Sequence, residues 1–180
     1  MGNGRKTADS VSAADRREKI KALDRAQLDT LLTVAQHDRL HPLWLFLADT
    51  GCGPSEAFAI QWENVDLVAR TATIRQALDL DGTTKSTKTK NTRRVDLSAR
   101  LVAALDAAQL AREAEALASG REANALVFAS VFGTPLDIDN VAKIFKRLLV
   151  RAGLPKFSLY SLRHSWASYA LAAGAPIHAG

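Results

Sequence analysis

The stretch DTGCGPSE, residues 49–56, lies between two apolar segments with helical spacing and decides how they connect. Gly51 is placed to end the first helix, because glycine readily adopts the left-handed conformation common at helix C-termini. Pro54 suits the first turn of the next helix, where its missing N–H costs no hydrogen bond. The stretch therefore predicts a tight junction between a helix over residues 41–50 and another over 54–62.

Cys52 is the only cysteine of the chain, so it can form neither an internal disulfide nor a zinc site with other cysteines. A thiol near the start of a helix can have a lowered pKa and become reactive. A cysteine at a junction between helices is more often a small apolar side chain that fills space. We interpret Cys52 in this second way.

Four more helices are predicted from apolar spacing and capping residues. Asp24 and Gln27 are three residues apart, as in a capping box, and an apolar stripe follows them. Ser98 precedes a long Ala- and Leu-rich segment over residues 99–118, and a serine there can accept a hydrogen bond from the first turn. The four helices are predicted to start after Asp24, after Ser98, after Asp137 or Asp139, and at about residue 159.

The pattern of apolar residues changes its period after residue 70. The segment is rich in Thr, Val and Ile, and Asp81-Gly82 is a turn signal. It predicts two or three short antiparallel strands at about 71–77, 84–89 and 92–97. The chain is therefore predicted to have an α+β fold, mostly helical with one small antiparallel β-sheet.

Size and composition suit one domain. Of the 180 residues, 47% are apolar and 24% are charged, which is ordinary for a globular protein. Residues 1–20 are polar with mixed charge and predict a disordered or linker segment, which leaves residues 21–180 as the domain. No apolar run reaches the roughly 18 residues of a membrane span, and residues 1–20 do not resemble a signal peptide. We therefore expect a cytoplasmic protein that is not bound to a membrane.

A cluster of cations occupies the segment TTKSTKTKNTRR, residues 83–94, in a chain of net charge +5. The cluster contains no acidic residue, and Thr and Asn lie between the cations. Such side chains together can donate hydrogen bonds to phosphate oxygens, which favours nucleic-acid binding. The same composition also fits a solvated hairpin surface. The cations are Lys85, Lys88, Lys90, Arg93 and Arg94.

The strongest local signal is LYSLRHSWASYALAAG, residues 159–174. Tyr160, Arg163 and His164 lie near the start of a predicted helix, where backbone N–H groups and the helix dipole favour an anion. The Arg163 guanidinium is a planar donor suited to phosphate. A surface arginine paired with a carboxylate, beside a histidine in the core, is the other interpretation. The residues of this segment alone leave both open.

Three blocks in order, TGxxxSExxxxxWxxVDL, the basic hairpin and SLRHSWAS, resemble the catalytic domain of tyrosine recombinases, the phage integrase family. The resemblance covers roughly residues 20–180. It implies site-specific DNA integration and recombination, as in mobile elements, through attack of a tyrosine hydroxyl on a phosphate and a 3′-phosphotyrosine link. The implied partners are double-stranded DNA and other recombinase protomers. The resemblance implies neither a metal nor another cofactor.

The resemblance also assigns roles to individual residues. Lys88 stands where the hairpin lysine protonates the leaving 5′-oxygen, with Lys90 as the alternative. Arg163 matches the second arginine that holds the non-bridging oxygens, and His164 follows it as a supporting residue. Tyr160 stands where the family usually has a histidine; its phenol can donate a hydrogen bond to a phosphoryl oxygen, but it is not the nucleophile.

Gly53 departs from the family pattern, whose turn reads Thr-Gly-x-Arg-x-Ser-Glu. Glu56, which would support the missing first arginine, is retained. Loss of such a cation lowers the rate by roughly 10³–10⁵, by analogy with arginine fingers. The family's tyrosine nucleophile also comes later than Gly180, so the resemblance implies a domain truncated at its C-terminus. We expect the isolated chain to bind DNA without cleaving it, and leave open whether it is an enzyme.

Two other hypotheses remain from the sequence. The chain could be a non-catalytic DNA-binding or regulatory partner of a full-length recombinase. It could also be a decayed helical interaction module with no nucleic-acid role. Because phosphate contacts make binding weaken steeply with salt, the salt dependence of binding separates the last hypothesis from the others.

Overall fold

The computed structural model describes residues 21–75 and 92–174. These residues form an α+β fold, mostly helical with one small antiparallel sheet, as the sequence predicts. No helix within these ranges is long and apolar enough to cross a membrane. The helices are α1 Arg25–Val34, α2 His41–Thr50, α3 Pro54–Ala59, α4 Ala99–Ser119, α5 Ile138–Arg151 and α6 Tyr160–Ala172; the strands are β1 Val65–Asp66, β2 Thr71–Arg75 and β3 Thr92–Asp96.

Helix α2 forms the centre of the core. Its side chains from Leu43 to Ala48 are all at most 5% exposed. A helix that is apolar all round must be covered on every side, and α1, α3, α4 and α6 all contact it. Two aromatic contacts extend this core: Trp44 lies 5.6 Å from Phe145 of α5, and Phe46 lies 5.3 Å from Phe128, between ring centroids.

Capping residues set the helix starts that the sequence predicts. The capping box is confirmed, because the Gln27 N–H donates to Asp24 Oδ1 at 2.8 Å and the Asp24 N–H donates to Gln27 Oε1 at 3.0 Å. Ser98 caps α4 by accepting from the Leu101 N–H at 3.2 Å. Of the two candidates for α5, Asp137 is the cap; it accepts from the N–H of residue 140 at 2.9 Å.

Helix α3 is shorter than predicted, because it ends at Ala59 and not at residue 62. The chain beyond it pairs with a distant segment: the Val127 N–H donates to the Ile60 carbonyl at 3.0 Å, and the Trp62 N–H donates to the Ala125 carbonyl at 2.9 Å. The backbone is extended at Ile60 and Gln61, which ends the α-helix there, and a short 3-10 helix follows at Trp62–Asn64. The prediction of a helix to residue 62 was therefore wrong.

The sheet has the order β1-β2-β3, and both strand pairs are antiparallel. Strands β2 and β3 lie within the predicted ranges 71–77 and 92–97. Strand β1, which pairs with β2, was not predicted. The predicted strand 84–89 and its turn lie outside the described residues.

Helix α6 holds the first described residues in place. The Leu23 N–H donates to the buried Ser165 Oγ at 2.8 Å, and the Tyr169 hydroxyl donates to the Leu23 carbonyl at 2.7 Å. Ser165 in turn donates to the Ser161 carbonyl of its own helix at 2.7 Å. These bonds satisfy the polar groups of an otherwise apolar contact, as buried polar groups require.

The junction between α2 and α3 packs directly under α6. Gly51 caps α2 in the left-handed conformation, with φ of +66°. A Cβ atom at Gly51 would lie 2.3 Å from Cε3 of the Trp166 indole. The junction thus needs glycine for two reasons, the backbone conformation and the close approach of the ring.

We expect Gly51→Ala to destabilise the protein more than Gly120→Ala. Both glycines have nearly equal positive φ, +66° and +64°, but nothing lies within 4 Å of a Cβ at Gly120. The left-handed conformation costs alanine about 1–2 kcal/mol at either site, and overpacking against Trp166 adds about 1–3 kcal/mol at Gly51 only. Urea unfolding of both variants measures the difference; equal losses would contradict the Trp166 contact.

Candidate functional site

The turn over residues 50–53 connects α2 to α3 and positions the start of α3. The buried Thr50 hydroxyl donates to the Phe46 carbonyl at 2.6 Å and accepts from the Cys52 N–H at 3.3 Å. Gly53 follows with extended backbone, φ −72° and ψ 158°, and precedes the first residue of α3. The turn therefore fixes the direction in which α3 begins.

Glu56 is the residue on which three segments of the chain meet. It lies in the first turn of α3, where a carboxylate is favoured, and its Oε2 accepts from the Gly53 N–H at 2.8 Å. The same oxygen lies 2.9 Å from Nη2 of Arg93 on β3 and 3.6 Å from Nη1 of Arg163 on α6. The Glu56 side chain is only 15% exposed. One partly buried carboxylate thus orients two guanidinium groups.

The register of the sheet explains why Arg93 and Arg94 have different surroundings. Arg93 is paired with Ile74 and Arg94 with Thr73 across the two strands. Directly paired residues project from the same face of a sheet, and Ile74 is buried whereas Thr73 is exposed. Arg93 therefore projects toward α3 and Glu56, while Nη2 of Arg94 donates to Thr71 Oγ1 at 3.1 Å.

Helix α6 presents Arg163 at the edge of this site. Its other face is held in the core by Ser161, Leu162 and Ser165, all buried. Tyr160 and His164 are exposed, so the interpretation of His164 as a core histidine was wrong. The interpretation of Arg163 as a surface arginine near a carboxylate agrees with its distance of 3.6 Å from Glu56. Its side chain is also 48% exposed, so it keeps donors for an anion.

Gly53 lies directly beside the two charged side chains of Arg163 and Glu56. A Cβ built at this position would lie 3.4 Å from Nη1 of Arg163 and 3.6 Å from Oε2 of Glu56. Both are contact distances that a side chain tolerates, and the backbone conformation suits any residue. The position that the sequence singled out therefore adjoins the site but adds only a backbone N–H to it.

The structure describes only part of the predicted site. Glu56, Arg93 and Arg163 come together, and Tyr160 lies on the same helix as Arg163. The hairpin cations Lys85, Lys88 and Lys90 lie outside the described residues, so their roles stay predictions. Among residues 21–75 and 92–174, no group of three His, Cys, Asp or Glu side chains is arranged to bind a metal ion.

The ion pair between Arg93 and Glu56 is the feature that the sequence analysis missed. Arg93 was grouped with the other hairpin cations because they are adjacent in sequence. The available signal was the alternation of strand residues: Val95 and Leu97 are apolar, so residue 93 falls on the same face. This alternation would have separated Arg93 from Arg94.

Cys52 fills space below the site. Its side chain is 1% exposed, and burial raises the pKa of the thiol, against smaller opposing effects of the Thr50 hydroxyl and the Arg93 charge. Nη2 of Arg93 lies 3.5 Å from Sγ. The interpretation of Cys52 as a small apolar filler is confirmed.

Comparisons with known proteins agree with this fold. The model of the phage integrase family matches residues 21–179. A XerC-like tyrosine recombinase of Caldanaerobacter subterraneus subsp. tengcongensis is 26% identical over 157 residues, which are 77% of this chain and 40% of the relative. An integrase of Streptomyces ambofaciens is 29% identical over 171 residues, 87% of this chain and 44% of the relative. The chain spans less than half the length of these curated relatives.

Solved structures share the fold. The crystal structure of XerA recombinase superposes with a TM-score of 0.69 at 23% identity, over 86% of this chain and 51% of that chain. The Tn1549 transposon integrase in complex with transposon right end DNA gives a TM-score of 0.71 at 20% identity, over 86% of this chain and 54% of that chain. The lambda integrase bound to DNA gives 0.62 at 15% identity, over 86% and 52%.

We expect Cys52 to be alkylated by iodoacetamide at least roughly tenfold more slowly in the native chain than in the urea-unfolded chain, because only the exposed thiolate reacts. Since burial raises the pKa of the thiol, the native rate should rise at a higher pH than that of a short peptide containing cysteine. Mass spectrometry of quenched samples follows the reaction, with the peptide as the control. Equal native and unfolded rates would contradict the burial of Cys52.

Proposed function

Because the chain belongs to the phage integrase family, we propose that it forms the catalytic-type domain of a site-specific tyrosine recombinase that binds duplex DNA. We further propose that this 180-residue chain binds DNA through backbone phosphates and does not cleave it. The relatives' names and the DNA complexes of similar folds support the first proposal. The geometry around Glu56 and Gly53 supports the second.

The observation that carries the proposal is the position of Arg163. Its side chain is 48% exposed and lies next to the Glu56 carboxylate, which limits its rotation. A guanidinium binds a phosphate through two parallel N–H donors. An arginine that is oriented by a carboxylate and open to solvent is suited to a DNA phosphate, and its exposed neighbour Tyr160 can add a hydroxyl donor.

The hairpin cations are proposed to complete the contact with DNA. Arg93 and Arg94 follow directly after the residues that carry Lys85, Lys88 and Lys90. In this proposal the lysines contact backbone phosphates, and Lys88, with Lys90 as the alternative, stands at the position of the family's general acid. Neighbouring cations would lower the pKa of such a lysine and favour proton donation.

Binding without cleavage is proposed from two features. Gly53 contributes no cation at the position where the family pattern has arginine. The chain contains two tyrosines, Tyr160 and Tyr169. The Tyr169 hydroxyl donates to the Leu23 carbonyl, and burial raises its pKa, so it is neither free nor activated for attack. Tyr160 is exposed on the first turn of α6, and we propose it as a donor to phosphate.

Family membership also motivates the proposal that the chain pairs with other recombinase protomers. The retained contacts of Arg93 and Arg163 with Glu56 favour a DNA-binding role over a decayed interaction module. The regulatory hypothesis shares the proposed DNA contact and differs only in the partner.

We expect the chain to bind a duplex DNA of unrelated sequence with strong salt dependence, and the triple variant Lys85→Ala/Lys88→Ala/Lys90→Ala to bind more weakly. Each lost phosphate contact lowers the slope of log K against log salt by about 0.9. The slope should therefore fall by about 2 to 3, with affinity reduced roughly 100-fold or more near 0.1 M salt. Fluorescence anisotropy from 50 to 300 mM salt measures both quantities.

The matched control removes three exposed cations from α5, in Lys143→Ala/Lys146→Ala/Arg147→Ala. Helix α5 contacts α1, whereas Glu56 contacts Arg93 of β3 and Arg163 of α6. This control should change the slope by less than about 1. Salt-independent binding, or equal effects of both triple variants, would contradict the proposed interface and favour the interaction module.

We expect no covalent protein–DNA adduct when the chain is incubated with a nicked suicide duplex, because the Tyr169 hydroxyl is bonded to the Leu23 carbonyl and Tyr160 is proposed as a donor to phosphate, not as the nucleophile. Denaturing gel electrophoresis detects a phosphotyrosine link, and Tyr160→Phe and Tyr169→Phe identify its origin. A denaturation-resistant adduct that disappears in either variant would contradict the proposal of binding without cleavage.

A further inference from the structure

Two guanidinium groups share one carboxylate oxygen at the site. Nη2 of Arg93 lies 2.9 Å and Nη1 of Arg163 lies 3.6 Å from Oε2 of Glu56. The two nitrogen atoms can therefore be no farther apart than the sum of these distances, which is within the reach of one phosphate group and its hydrogen bonds. Arg93 of β3 and Arg163 of α6 are 70 positions apart in the chain, and Glu56 brings them together.

We propose that Arg93 supplies the second guanidinium of the phosphate site, in place of a side chain at position 53. This inference rests on the proposed function, because it concerns the same phosphate contact. It assigns Arg93 a place inside the site and separates it from Arg94, which the strand register directs to the opposite face of the sheet.

The charges of the cluster favour an anion. Glu56 carries one negative charge and the two arginines carry two positive charges, so the trio has a net charge of +1. A guanidinium has five N–H donors in a fixed fork, and the bonds to Glu56 and Cys52 both use Nη2 of Arg93. The Arg93 and Arg163 side chains are 41% and 48% exposed, so each keeps donors that face solvent.

The surroundings of Gly53 explain why Arg93 can take this position. A Cβ at Gly53 would approach both Arg163 and Glu56, so a long side chain there would extend into the space beside the carboxylate. With glycine at this position, no side chain from the turn competes with Arg93 of β3 for the Glu56 carboxylate. The Gly53 N–H holds Glu56 at 2.8 Å and keeps the carboxylate directed at both arginines.

The experiment compares Arg93→Ala with Arg94→Ala, each alone and each combined with Gly53→Arg. Arg93→Ala should weaken binding to a duplex of unrelated sequence roughly tenfold near 0.1 M salt and lower the salt slope by about 1. Gly53→Arg should restore most of this loss in the Arg93→Ala background, because it returns a guanidinium to the same carboxylate. It should not restore binding lost in Arg94→Ala.

Arg93→Lys keeps the positive charge but removes the planar guanidinium, so it tests the contribution of the paired N–H donors separately. It should bind more weakly than the native chain but more tightly than Arg93→Ala, since an ammonium cannot donate two parallel bonds. Thermal unfolding of each variant checks that it folds. Equal losses in Arg93→Ala and Arg94→Ala, both unaffected by Gly53→Arg, would overturn the inference and leave the proposed DNA binding intact.

A second measurement does not depend on DNA. Arginine side-chain ¹⁵N NMR of the native chain, titrated with inorganic phosphate, should shift the Nε signals of Arg93 and Arg163 together. Arg163→Ala should weaken the response of Arg93. A response of Arg163 without Arg93, or no response of either, would overturn the shared site even where the chain binds DNA. A joint response in a chain that fails to bind DNA would support the site and reject the proposed function.

Discussion

The structure depends on the burial of helix α2 on all of its sides. Its apolar residues leave no face for water, so the other helices must surround it. The hydrophobic effect, at about 25 cal/mol per Å² of buried apolar area, makes this cover the main driving force of the fold. The apolar composition of residues 41–50 therefore explains why α1, α3, α4 and α6 all contact α2.

This burial has a direct effect on the site. The C-terminal end of α2 must turn sharply under α6, and Gly51 permits a turn that lets the Trp166 ring approach the backbone. The start of α3 is then set beside the first turn of α6, which brings Glu56 close to Arg163. A polar cluster is formed at the edge of an apolar contact that exists for stability. The chemistry of the site thus relies on packing that involves none of its charges.

Glu56 illustrates the difference between stabilising and orienting. Ion pairs with exposed partners contribute about 0–1 kcal/mol each, because water screens them. The pairs with Arg93 and Arg163 are of this kind, so they add little to folding. Their effect is to restrict the positions of two flexible cationic side chains. The entropy cost of ordering these side chains is then incurred on folding and not on binding, which favours binding. Asp49 near the end of α2 has a similar effect: it accepts hydrogen bonds from Ser98 and Arg100 and thereby raises the pKa of Arg100.

Local rules in the sequence determined much of this protein. The capping residues Asp24 and Ser98 and the stop at Gly51 could be read without coordinates, because they depend on neighbours a few residues apart. The α+β composition and the order of the three family blocks could also be read from the sequence. Arg163 was found from its place near a helix start, whereas Glu56 and the missing arginine at Gly53 were found from the resemblance to the family pattern.

Only the tertiary structure decided which of these residues meet. The early end of α3 depends on pairing with residues 125–127, more than sixty positions away, so propensity in the segment itself could not reveal it. The direction of Arg93 depends on the register of β3 against β2, since a shift by one residue would exchange its face with that of Arg94. Contacts between distant segments follow from packing and register, and these are properties of the folded chain as a whole.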